Sequence, residues 1–234
     1  MTLTIASLRG ERPLISYSGG YEFEDIICGF GDANIVTLPP RKSFPRSLFG
    51  GQPQPAWPSA DIFFAHVMSV AELGLFDPKG AWRDYPKKAI WIEEFWPPML
   101  QYRKLIERLA AFDYIFVANN DVIDRLQNLS GRFCQYLPPG VDALSFCPWP
   151  NPPERAIDVF SMGRRTESVH RKLLAHAERE NGFFYLYDTT GYKATLEGHY
   201  QHRFKQAATI KRSRFFLADG AKLNRPDETG GSQV

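Results

Sequence analysis

The chain of 234 residues has only three cysteines, Cys28, Cys134 and Cys147, and no Cys-x-x-Cys pair. An odd, small number of cysteines without metal-ligand spacing argues against a disulfide framework and against a zinc site. Such cysteine usage is typical of a reducing compartment, and we therefore expect a cytoplasmic protein.

Long apolar runs are also missing from the sequence. No window approaches the roughly 20 apolar residues that a membrane-spanning helix needs. Residues 1–13 lack the basic segment followed by an apolar run that marks a signal peptide. We expect a soluble chain, and its 44% hydrophobic residues are sufficient for a packed core.

The chain has little net charge, +2 in all, but the charge is unevenly distributed. Residues 1–154 carry 14 basic and 17 acidic groups, whereas residues 155–234 carry 14 and 9. A basic second part suits an anionic ligand such as a nucleotide diphosphate, although a solvated basic face is the alternative. No nucleic-acid-binding module is recognisable, and we expect no nucleic-acid partner.

The densest group of prolines is the set of four between Pro148 and Pro153. Each proline fixes φ and removes a backbone donor, so neither a helix nor a central strand can cross this segment. We predict a domain boundary here, with a first domain at residues 1–146, a linker at 147–155 and a second domain at 156–234.

Short apolar runs alternate with helical patterns along both parts of the chain. This alternation predicts an α/β fold of two Rossmann-like domains with largely parallel sheets. The predicted strands are Pro13–Tyr17, Ala33–Leu38, Asp61–His66, Lys88–Ile92, Tyr114–Ala118, Phe133–Leu137, Ala156–Met162, Phe183–Tyr187 and Arg214–Ala218.

The strongest ligand-binding signal follows the linker. The strand Ala156–Met162 leads into a turn at Gly163, then two arginines and a helical pattern. A strand, a glycine turn and a helix N-terminus form the usual anion site of open α/β domains, because free N–H groups and the helix dipole face the ligand.

The segment LPPGVD, followed by Phe146, Pro148 and a strand that ends in Met-Gly-Arg, resembles the domain junction of GT-B glycosyltransferases. The likeness is greatest to the large retaining family 4, or group 1, whose members use nucleotide sugars. It implies that Gly163 and Arg164 hold the donor diphosphate, with Arg165 beside them. The family commonly has a lysine five residues after this arginine, whereas this chain has Val169.

The end of the chain resembles only the first part of the family's donor-sugar region. Glu228, Gly230 and Gly231 match that part as donor-binding residues, and the family's second glutamate would lie beyond Val234. We therefore expect an incomplete, truncated second domain.

Three residues near the N-terminus match a Gly-Gly-x-Glu turn that the family often carries after its first strand. They are Gly19, Gly20 and Glu22, and the resemblance implies a loop that approaches the acceptor or a phosphate. A plain turn is the alternative. Asn119 is a further acceptor-side candidate, because it follows a predicted strand and can cap the next helix.

Two strand ends in the first part carry candidate catalytic groups. His66 ends the strand DIFFAH, where the family also has a histidine near the cleft, and it can orient an acceptor hydroxyl. A histidine satisfied within the fold is the alternative. Glu93 and Glu94 end the next strand, and one of them, not both, can bind a sugar hydroxyl or act as a base.

The resemblance implies a hexosyl-type transferase that moves a sugar from a nucleotide-diphosphate donor to a glycan, lipid or small-molecule acceptor. It implies no cofactor and no metal. Residues 39–58 mix basic and aromatic side chains, which is typical of a membrane-surface patch at the inner face or of a long surface loop. A non-catalytic binding module on the same fold is the alternative, whereas a dinucleotide enzyme is disfavoured because no G-x-G-x-x-G follows the first predicted strand.

Overall fold

The structure is a computed structural model that describes residues 1–8, 18–38, 55–77, 79–163, 166–188 and 199–218. The chain divides into two compact units, and the division falls between Gly140 and Val141. Each unit contains its own parallel sheet, so the predicted α/β class is confirmed.

The first unit is built on a six-stranded sheet in the order β2-β1-β3-β4-β5-β6. All of its strand pairs are parallel. The strands are β1 (Thr2–Ser7), β2 (Asp32–Thr37), β3 (Ile62–Ser69), β4 (Lys87–Glu94), β5 (Tyr114–Val117) and β6 (Phe133–Tyr136).

The helices of the first unit connect these strands and cover the sheet. They are α1 (Ser18–Gly29), α2 (Arg103–Leu109) and α3 (Ile123–Ser130), with short 3-10 turns at Val70–Leu75, Ala81–Asp84, Pro97–Gln101 and Asn120–Val122. Two prolines begin the 3-10 turn at Pro97, where a missing N–H costs nothing. Gly131 ends α3 with φ +64°, a left-handed conformation that glycine adopts without strain.

Alternation along the central strands sends successive side chains to opposite faces of the sheet. On one face, Phe64 and Trp91 pack with residues of α1 in a small apolar cluster. On the other face, Phe63, Ile90 and Ile92 belong to a larger core with the 3-10 turns, α2 and α3. Both faces are apolar, as a buried parallel sheet requires.

The second unit contains a three-stranded parallel sheet in the order β8-β7-β9. Its elements are α4 (Ala143–Phe146), β7 (Ile157–Met162), α5 (Glu167–Ala177), β8 (Tyr185–Asp188), α6 (His199–Lys211) and β9 (Ser213–Leu217). Asp158 ties the three strands together, because it accepts hydrogen bonds from the Phe184 amide at 2.9 Å and from Arg214 at 2.7 Å.

The unit division falls earlier than residue 146, where the sequence places the end of the first domain. The reason is α4, which packs against α6 of the second unit, with the Arg203 guanidinium 4.9 Å from the Phe146 ring. Hydrogen bonds from Ser145 to the Asp142 carboxylate cap α4 and hold the pKa of Asp142 below its usual value. Residues 147–156 form neither helix nor strand, as their prolines predict.

Near the N-terminus the structure differs from the sequence-based prediction. The first strand is Thr2–Ser7, which is not among the predicted strands, whereas the predicted strand Pro13–Tyr17 lies outside the described residues. The helices in the described part of the chain are too short or too polar to span a bilayer.

Candidate functional site

The carboxyl edge of the first sheet has a crossover point at β1 and β3. Strand order runs outward from β1 to β2 on one side and from β3 to β6 on the other. In open parallel sheets, ligands bind at the carboxyl ends of the strands where the order reverses in this way. The prediction that His66 ends its strand is wrong, because β3 continues to Ser69 and His66 lies three residues before that carboxyl end.

His66 and Glu93 form a hydrogen-bonded pair on neighbouring strands. His66 Nε2 lies 2.7 Å from Glu93 Oε1. The register of β3 and β4 places His66 beside Trp91, and Glu93 is two residues further along β4, on the same face as Trp91. The His66 side chain is 5% exposed and that of Glu93 is 19% exposed, so Glu93 is the more accessible partner.

Two aromatic rings fix the orientation of the His66 imidazole. Trp91 stacks on it, with ring centroids 4.6 Å apart and an interplanar angle of 21°. Phe23, from α1, meets it edge-on at 6.0 Å. Trp91 is itself held, because its indole N–H donates to the Leu137 carbonyl at 3.0 Å. The imidazole therefore has little rotational freedom, which is what a preorganised catalytic group requires.

Gly20 packs directly against the imidazole from the first turn of α1. A Cβ atom on Gly20 would lie 2.5 Å from His66 Cε1 and 2.9 Å from Nδ1. The predicted turn at Gly19, Gly20 and Glu22 is wrong as local structure, since all three residues lie in α1. The glycine is needed for close approach between a helix and a side chain, not for a turn.

The remaining first-unit candidates lie apart from this pair. Glu94 is exposed, and alternation along β4 turns it to the face opposite Glu93. Asn119 caps the 3-10 turn that follows it, and its Oδ1 accepts a hydrogen bond from the Asp121 amide at 3.0 Å. This confirms Asn119 as a cap, and its acceptor-side role stays a prediction.

A second polar pair, missed by sequence reasoning, is buried at the end of β1. The Ser7 hydroxyl donates to Glu24 Oε2 at 2.7 Å, and both side chains are almost fully buried. Tyr21 and Glu24 are both buried at helical spacing on α1. The signal that would reveal this pair is the helical spacing of Tyr21 and Glu24, which becomes visible once residues 18–29 are recognised as a helix.

In the second unit, Gly163 follows the central strand β7 with φ +86°. This left-handed conformation suits glycine and turns the chain toward α5. Near the start of α5, His170 is buried, and its Nδ1 lies 3.0 Å from the Tyr185 hydroxyl. His170 is the residue after Val169. In the GT-B family that the sequence resembles, a lysine commonly stands at the position of Val169.

Several predicted donor-side residues lie outside the described part of the chain. They are Arg164, Arg165, Glu228, Gly230 and Gly231. Residues 39–54 of the predicted membrane-contact segment 39–58 also lie outside it. Among the described residues, no group of three or more histidine, cysteine, aspartate or glutamate side chains is placed to hold a metal ion.

No protein-family model matches the chain, and no curated protein is significantly similar to it in sequence.

Adding a methyl group at Gly20 should disturb the His66–Glu93 pair. We expect Gly20→Ala to lower the free energy of unfolding of the first unit by about 1–3 kcal/mol, since the ring is held by its neighbours and cannot easily move. Gly19→Ala is the matched control, because nothing lies within 4 Å of its added Cβ. It should stabilise α1 by up to about 1 kcal/mol.

Urea unfolding followed by tryptophan fluorescence measures both variants. Equal stabilities of the Gly20→Ala and Gly19→Ala variants would show that the close approach of α1 to His66 is absent in solution.

Proposed function

We propose that this chain is a GT-B-like glycosyltransferase that moves a sugar from a nucleotide-diphosphate donor to an acceptor hydroxyl. The first unit would bind the acceptor, and the second unit would bind the donor diphosphate. The acceptor is a glycan, a lipid or a small molecule.

One observation carries the proposal, namely the His66–Glu93 hydrogen bond of 2.7 Å at the crossover edge of a parallel sheet. A buried histidine bonded to a carboxylate suits proton transfer, because the carboxylate fixes the ring and stabilises its charged form. Glu93 keeps 19% of its side chain exposed, so the pair is partly open to solvent.

The proposal that the second unit binds the donor has two supports. They are the turn at Gly163 and the resemblance of the residues after it to the diphosphate-binding loop of GT-B glycosyltransferases. Breaking the bond between the anomeric carbon and the diphosphate places new negative charge on the leaving group. A cation such as Arg164, which precedes α5 in the sequence, would stabilise this charge where it develops. The excess of basic residues after residue 154 favours the same kind of ligand.

Binding of nucleotide diphosphates tests the donor half of the proposal. Titration calorimetry of the full chain with UDP, GDP and ADP should detect binding of one of them. We expect Arg164→Ala to weaken this binding by about 10- to 100-fold, the value of one or two charge-assisted hydrogen bonds.

The control is Arg179→Ala, which removes an exposed arginine of the same unit and should leave the affinity unchanged. Absence of binding for all three nucleotides would contradict the donor site. Full binding by Arg164→Ala would show that the nucleotide binds elsewhere than the Gly163 loop.

A further inference from the structure

We propose that a cleft at the amino edge of the first sheet, called here the amino-edge cleft, is a binding site for a neutral saccharide. The segments that precede β3 and β4 form the cleft, together with the first residue of β1. Its walls include Thr2, Trp57, Ser59, Asp61, Asp84 and Tyr85. Because parallel strands all begin at this edge, the cleft lies at the edge opposite the proposed transfer site, and the inference goes beyond the proposed function.

The cleft has the size and the fixed walls of a small-molecule site. Its volume is about 540 Å³, within the range of about 300–1,000 Å³ that such sites have. The Tyr85 hydroxyl donates a hydrogen bond to the Pro58 carbonyl, which joins the segment before β4 to the segment before β3. The Asp61 amide donates to the Thr2 carbonyl at 3.2 Å and so ties β1 to the same wall. The cleft is therefore preformed.

Two carboxylates in the cleft can accept hydrogen bonds from hydroxyl groups. Asp61 Oδ2 accepts a hydrogen bond from the Thr2 amide at 2.7 Å, and this bond holds the pKa of Asp61 below its usual value. Asp61 Oδ1 and both oxygens of Asp84 have no hydrogen-bond donor within the described residues. An ionised carboxylate only accepts, and its hydrogen bonds are stronger than those of neutral groups.

Trp57 supplies an apolar wall beside these oxygens. The side chain is half-buried, and its ring meets Phe63 nearly edge-on at a centroid distance of 5.2 Å. The indole nitrogen is buried, so a ligand in the cleft contacts ring carbons rather than the N–H. A flat aromatic surface beside hydrogen-bond acceptors matches a sugar ring, which has apolar C–H groups on one face and hydroxyls around its rim.

The charges around the cleft select a neutral ligand. Two carboxylates repel an anion, and no basic side chain is among the described residues that line the cleft. A cation would find part of its role already filled, because Lys87 at the start of β4 is close enough to Asp61 to act on it electrostatically. A polyhydroxyl ligand satisfies the carboxylate oxygens without adding charge.

Nuclear magnetic resonance of the full chain tests this inference. In a proton–nitrogen correlation spectrum, the indole signals of Trp57 and Trp149 are assigned from the Trp57→Phe and Trp149→Phe variants. The probes are the methyl glycosides of glucose, galactose, mannose and N-acetylglucosamine, with maltose, cellobiose and lactose. At least one saccharide should shift the Trp57 signal saturably and leave that of Trp149, an exposed residue of the second unit, unchanged.

Two matched variants connect the shift to the cleft. Asp84→Asn should weaken the affinity for that saccharide about tenfold, because it removes one charged hydrogen-bond acceptor. Asp84 is exposed at the end of a 3-10 turn, so this variant should keep the wild-type fold. Asp124→Asn is the control, because it makes the same change at an exposed position of α3, and it should bind like the wild type.

Three results would overturn the inference. They are the absence of a Trp57 shift with every saccharide, equal affinities of the wild type and Asp84→Asn, and a shift with butylammonium but with no saccharide. The last would assign the cleft to organic cations. None of them bears on nucleotide binding by the second unit, so failure of this inference is distinguishable from failure of the proposed function.

Discussion

Replacement of Phe63 by alanine should destabilise the first unit by about 3–5 kcal/mol, the cost of removing a large aromatic side chain from a close-packed core. Phe63 is fully buried on β3. Its ring has five aromatic neighbours at centroid distances of 5.2–6.5 Å, namely Trp57, Phe76, Trp82, Tyr85 and Phe112. Truncation removes these contacts at once and leaves a cavity that the surrounding rings cannot easily fill.

Urea unfolding monitored by tryptophan fluorescence measures this effect, because Trp57 and Trp82 report on the same cluster. The comparison is Phe30→Ala, since Phe30 is 88% exposed and its removal should cost less than about 1 kcal/mol. If the free energy of unfolding of Phe63→Ala lies within about 1 kcal/mol of the wild-type value, the aromatic core is not packed around Phe63.

Central strands were predictable because both of their faces are buried. Runs such as Ile62–Val67 and Ala89–Ile92 are apolar at almost every position, which is typical of a parallel sheet. The helices between them follow from apolar spacing, although the pattern from Pro97 to Ala111 is divided into a 3-10 turn and α2.

The start of the chain was less predictable. Strand β1 includes Thr2, Thr4 and Ser7, so it lacks a continuous apolar run. The first turn of helix α1 contains two glycines, Gly19 and Gly20, and glycine has low helix propensity. Its stability comes from packing on the sheet, and tertiary packing of this kind leaves only a weak local signal in the sequence.

The sequence predicts that His66 and the two glutamates lie at strand ends. It does not predict which glutamate forms a hydrogen bond with His66. The pairing depends on the register of β3 and β4, which joins His66 to Trp91 and thereby brings Glu93 within reach. Register is a property of two strands far apart in the chain. Likewise, the close approach of Gly20 to His66 depends on the position at which α1 packs on the sheet.

The most direct test of the central claim, that His66 and Glu93 form the acceptor site of a sugar-nucleotide transferase, is diphosphate release from sugar nucleotides. The wild-type chain should release UDP, GDP or ADP from one donor. Glu93→Gln should release it about 100-fold more slowly, because it keeps the size of the side chain and removes the charge that stabilises a protonated His66.

Glu94→Gln is the informative comparison, since the neighbouring glutamate is exposed and faces away from His66. We expect it to slow release less than tenfold. Slow release in Glu93→Gln with nearly normal release in Glu94→Gln would support the account. Equal rates in the wild type and Glu93→Gln, or absence of release from every donor, would contradict it.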